Sequence, residues 1–126
     1  MSHTPNRRQM TFEGADVGEL LNFIDEKFGD KGCLLLEYKT IGIWNYEKMF
    51  LRTAAQTSCT IVFHKSDEGK CDVYLWGTGG EVGYFGNDHG IQKSIRDAVA
   101  EQISTYAVEQ LKLRKTYDAD EFFQTR

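Results

Sequence analysis

Val17, Leu20, Leu21, Ile24 and Phe28 recur at three- and four-residue spacing, which predicts a helix over residues 16–28 with one apolar face. Asp16 followed three positions later by Glu19 has the form of a capping box, and Gly29 suits a left-handed stop. A longer stripe of Ile91, Ile95, Ala98, Val99, Ile103, Tyr106, Ala107 and Leu111 predicts a second helix of about six turns. Lys112, Arg114 and Lys115 follow where cations favour the negative end of the helix dipole.

Alternation replaces helical spacing elsewhere. Met10 to Glu13 suits a short strand, and Cys33 to Lys39 places Leu34, Leu36 and Tyr38 on one side of another. Gly42 suits a turn before a strand from Trp44 to Thr53. In that strand Trp44, Tyr46, Lys48 and Phe50 alternate with Asn45, Glu47, Met49 and Leu51, so both sides hold apolar groups and the core side stays open. Ser58 to His64 and Cys71 to Trp76 flank Ser66-Asp-Glu-Gly69, a hairpin whose glycine can take positive φ. One side of this hairpin carries Cys59, Ile61, Phe63, Cys71, Val73 and Leu75, a continuous apolar surface fit to receive helices. The other carries Thr60, Val62, His64, Asp72, Tyr74 and Trp76, and that much aromatic area is seldom left bare to water.

These elements predict an α+β fold: an antiparallel sheet of four or five strands with two helices packed on one face, in the order β-α-β-β-β-β-α. The 126 residues suit one domain over 10–116, with a disordered leader at 1–9 and a charged tail at 117–126 that holds the adjacent Phe122 and Phe123. Forty per cent hydrophobic and 27% charged residues make a globular composition. A net charge of -4 without a basic cluster disfavours nucleic acid. The longest apolar run, Cys33 to Leu36, is far too short to cross a membrane. Three cysteines without a CxxC pair fit reduced thiols in the cytoplasm.

The order YEKMFLR, TSCTIVF, a hairpin, a TGG loop with YFGNDHG and a long amphipathic helix resembles a family of small bacterial domains of unknown function. The matching positions are Glu47, Lys48, Phe50, Arg52, Gly79, Gly80, Gly83, Phe85 and Asp88, and the likeness covers about half the chain, from Tyr46 to Val99. The pattern has a tryptophan-glycine pair where this chain has His89-Gly90. The resemblance implies the fold and a bacterial cytoplasmic setting, and no chemistry.

Two surfaces remain as candidates. Trp44, Tyr46, Tyr74 and Trp76, framed by Lys48 and Arg52, combine aromatic and cationic groups as a recognition surface does. This supports a non-enzymatic binding or protein-interaction module, whose outer sheet face takes a second copy as a homodimer, a protein partner or a small apolar ligand. The alternative is a small enzyme or a nucleotide or phosphate binder using the glycine-rich loop 77–90, with Gly79, Gly80, Gly83, Phe85, Asp88 and His89 as its residues. Against it, neither GxxxxGK[ST] nor GxGxxG is present, and Glu81 and Asp88 repel anions, so Asp88 serves more simply as a helix N-cap. No cofactor or metal is expected, since His64 and Asp72 alone share a sheet face and zinc needs three or four ligands. Cys59 and Cys71 fall on the core side, where a thiol packs as a small hydrophobe rather than a nucleophile.

Overall fold

A computed structural model of the chain describes residues 6–29, 33–35, 41–50, 55–79 and 88–122. The strands are β1 (Asn6–Glu13), β2 (Cys33–Leu35), β3 (Ile41–Phe50), β4 (Ala55–Asp67), β5 (Lys70–Gly79) and β6 (Arg114–Phe122). The helices are α1 (Val17–Phe28) and α2 (Asp88–Thr105), the second continued by a π turn at Tyr106–Gln110. The fold is α+β, and the predicted order holds from β1 through α2. All strand pairs are antiparallel, in the order β2-β3-β4-β5-β1-β6.

The sheet has six strands rather than four or five, because the segment read as a tail pairs with β1 up to Phe122. Asn6 to Gln9, expected in the leader, likewise belong to β1, which lies between β5 and β6. Neither segment shows apolar alternation, since the inward groups at this end of the sheet are charged. Arg8 lies opposite Leu75 on one side and Asp120 on the other. Its guanidinium grips Asp118 through two 2.8 Å bonds and reaches Asp97 of α2 at 3.2 Å. Arg96 of α2, fully buried, donates to Asp97 at 3.0 Å and to Asp120 at 3.1 Å. Lys115 bridges Ser104 and Asp118. Ion pairs thus do for β6 what apolar contacts do for the central strands.

The apolar core lies between the helices and the inner sheet face. Ile61, Phe63, Val73 and Leu75 meet Leu20, Leu21, Ile24 and Phe28 of α1 and Ile95, Val99 and Ile103 of α2, all buried. Cys59 and Cys71 are free and buried within this layer, as expected, and burial pushes each thiol up to about 12. In α2 the stripe is shifted at one point. Ala98 is exposed, while Ala100 and Arg96 are buried.

Several local expectations are corrected. Asp16 precedes α1 but makes no side-chain cap bond, and Gly29 ends the helix at φ −85 rather than in the left-handed region. Gly42 sits within β3, opposite Phe63, instead of in a turn. Among the described glycines only Gly14 has positive φ, so the Glu68-Gly69 turn is made without it. There an irregularity between Lys65 and Asp67 shifts the register of the hairpin. The second helix ends where Lys112 takes φ 57 and the Leu113 N–H donates to the Ala107 carbonyl at 2.9 Å. Arg114 and Lys115 therefore begin β6 instead of following the helix in its own direction.

Candidate interaction surface

The sheet face away from both helices is built of three cross-strand rows. The middle one runs Ile43, Val62, Tyr74, Gln9, Ala119 from β3 to β6. On one side of it lie Asn45, Thr60, Trp76, Arg7 and, opposite Arg7 in β6, Glu121, and on the other Ile41, His64, Asp72, Thr11 and Tyr117. The side-chain period of two puts these residues together and sends their neighbours in sequence to the core. The hairpin register read from the alternation of Val62, Tyr74 and Trp76 with Ile61, Val73 and Leu75 is the observed one.

The predicted aromatic set is divided between the two faces. Trp44 lies opposite Ile61 and is fully buried on the helix side, where its indole N–H donates to Asp25 of α1 at 3.0 Å. Tyr46, opposite Cys59, packs edge-on against Phe28 with ring centroids 5.1 Å apart. Both belong to the interior and are removed from the candidate surface. Tyr74 and Trp76 stay on the open side, half-buried and stacked at 6.3 Å with a 24° angle between rings. Lys48 lies opposite Thr57 in β3, with its side chain outside the described residues, as is the whole of Arg52.

Ile43, Tyr117 and Arg7 join the surface in their place. Ile43 is 36% and Tyr117 43% exposed, both high for large apolar side chains on a sheet. The Arg7 guanidinium carbon lies 5.9 Å from the centre of the Tyr74 ring, a cation–π distance. Thr11 donates to Asp72 at 2.6 Å. Burial, and then the charge of Asp72, raise the Tyr74 hydroxyl above the usual phenol range, with Arg7 acting in the opposite sense. Ile43 was legible in sequence as the residue alternating with Trp44, once the latter is assigned to the core.

Hollows lined by described residues lie elsewhere. One is at the sheet end, between Glu13, Gly14, Glu68 and Arg114, and another runs along Phe23, Lys27 and Tyr106 between the helices. Gly80, Gly83 and Phe85 of the glycine-rich loop lie outside the described residues. Gly79 ends β5, while Asp88 and His89 open α2 with side chains outside the described set. Among the described residues no group of three His, Cys, Asp or Glu side chains could hold a metal ion. None of the described helices is long and apolar enough to cross a membrane. No protein family, curated protein or solved structure matches the chain.

Proposed function

We propose that this protein is a non-enzymatic interaction domain of the cytoplasm that docks protein on its open sheet face. The carrying observation is the uncharged middle row Ile43, Val62 and Tyr74 beside Trp76, on the side of the sheet that neither helix covers. Aromatic and aliphatic groups in register on a flat face suit a broad protein contact. A small ligand instead requires a concave site that encloses most of its surface, and the hollows described above, lined by described residues, are away from these rings. Buried free thiols at Cys59 and Cys71 support a reducing compartment.

The test is photo-crosslinking in cells from a reactive residue at position 62, compared with one at Val108. Val108 is 41% exposed on the π turn, and serves as the control. Protein adducts from position 62 in excess of those from position 108 are expected. Equal yields, or none from position 62, would overturn the reading.

A further inference from the structure

We infer that β6 is an exchangeable strap: when the backbone at Lys112 extends, the strand leaves β1 of its own chain and takes the same place on a second copy, so that two chains interlock. The exchange needs nothing from the docking role proposed above.

The joint is short and strained. Only Leu111, Lys112 and Leu113 separate the π turn from β6, and Lys112 is, among the described residues, the one non-glycine with positive φ. The Leu113 N–H donates to the Ala107 carbonyl at 2.9 Å, so the chain turns back over the helix end at once. An L-residue in the left-handed region crowds its Cβ against a carbonyl oxygen. A short connection under such strain favours exchange with a neighbouring molecule, because the extended joint releases the crowding.

The strand is also free to leave. It lies at the edge of the sheet, bordered there by β1 alone, so no other strand has to move with it. Its inward groups Lys115, Asp118 and Asp120 are charged, and a detached β6 therefore exposes charge rather than apolar area. The groups that hold it are the same in a second copy: the β1 backbone, Arg8 for Asp118 at 2.8 Å, Arg96 for Asp120 at 3.1 Å, Ser104 for Lys115 at 3.0 Å and Glu13 for Arg114 at 2.8 Å. Leu113, buried, moves with the strand, and its seat over Gly14 is open in either copy because the glycine lacks the Cβ that would overlap the leucine.

Exchange thus remakes each of these contacts and relaxes two joints, one in each chain. Against it stands the closeness of a strand tethered to its own β1, equivalent to a concentration in roughly the millimolar range. Relief at each joint is worth about tenfold. Interlocked dimers therefore belong to concentrated solutions, and chains released together from urea reach them without first opening a folded molecule.

Refolding from urea at about 0.5 mM chain is expected to give, in sedimentation, twice the 14.4 kDa chain mass, and refolding at about 1 µM a monomer. Residue 112 should control the balance. Lys112→Gly, which accepts positive φ, is expected to reduce the concentrated dimer about tenfold or more, whereas Lys112→Pro, which holds φ at about −65°, is expected to give dimer even from dilute refolding. Because Lys112→Pro can also hinder folding, a mixed refolding supplies a second reading. Arg8→Asp and Asp118→Arg each set like charges together in a closed monomer, but in an interlocked pair of the two variants each β1 meets a β6 of opposite charge at this position. The mixture is expected to give a one-to-one dimer with a Tm above that of either variant alone. Val62→Lys, on the open face, should leave the exchange unchanged. A wild-type chain that stays monomeric in concentrated refolding, or a mixture without a dimer of the two variants, would overturn the inference. A dimer lost in Val62→Lys but indifferent to residue 112 is one of open faces, which overturns the exchange and leaves the docking role standing.

Discussion

Gly42 and Trp44 together determine which side of β3 is buried. They stand two residues apart on the same face, and the Trp44 indole folds back over the glycine, where a Cβ would overlap the ring. Gly42→Ala must push the indole away from Asp25, and overpacking of this kind costs about 1–3 kcal/mol, readable by urea denaturation. Gly18 provides the contrast. It lies in the first turns of α1, exposed, with open space where a Cβ would go, so Gly18→Ala should stabilise by roughly 0.5 kcal/mol. Lys112 has the opposite need. At φ 57 it occupies a conformation that suits glycine, and Lys112→Gly should raise stability by up to about 1 kcal/mol, seen as a higher urea midpoint. A loss of stability there would mean that the lysine side chain contributes more than its backbone strain costs.

At the scale of elements, β6 differs from the other strands in what attaches it. Its inward groups Lys115, Asp118 and Asp120 are charged, and they face Arg8 of β1 and Arg96, Asp97 and Glu101 of α2. The bonds from Arg8, aided by Lys115, hold the Asp118 carboxyl below the usual range despite its partial burial. A carboxyl depressed on folding adds stability above its unfolded value, near 3.8, and that contribution is lost as pH falls through the lower folded value. Amide exchange in β6 should therefore quicken, relative to β4 and β5, in acid below about pH 4, a separation that Asp118→Asn should abolish. Arg96 allows a second test. Its Nη1 is buried with no hydrogen-bond partner among the described residues, while Asp97 and Asp120 are 37% and 40% exposed and can be solvated. Arg96→Met should thus shift stability by no more than about 1 kcal/mol, whereas Asp97→Asn with Asp120→Asn leaves a buried cation unpaired and should cost about 3 kcal/mol or more. These ionic attachments also explain why β6 and the first half of β1 were not legible as strands. Hydrophobic periodicity reports a strand only when its inward side is apolar, and here the inward side is Arg8, Asp118 and Asp120. The signal that could have revealed the pairing was charge, with Arg7-Arg8 near one end of the chain and Asp118-Ala-Asp120 near the other. The β4–β5 hairpin, by contrast, was read to the correct face from alternation alone, because every inward residue from Cys59 to Leu75 named for it is apolar.

For the molecule as a whole, strand order places the first element of the chain among its last. Between β5 and β6, β1 closes contacts across some sixty to more than a hundred positions, as in Met10 opposite Val73 and Asp118. Such topology forms only when most of the chain is in place, so folding should be one slow cooperative step rather than a sequence of separable units. The two core thiols offer a probe of that cooperativity. Cys59 and Cys71 lie on strands paired across the centre of the sheet, beneath the helices, and are fully buried. In a Cys33→Ser background, a thiol reagent at neutral pH should modify both residues at one rate, and that rate should rise with urea along the slope of global unfolding. A faster rate at either position would reveal a local opening and contradict a single core. The same thiols set an alkaline limit. Each is raised from an ordinary value of 9.0 to about 12 on folding, so its contribution is complete below pH 9 and is lost as pH rises from about 9 towards 12. Stability should decline over that interval, and replacing both cysteines by alanine should flatten the decline even though it lowers stability at neutral pH by opening small cavities.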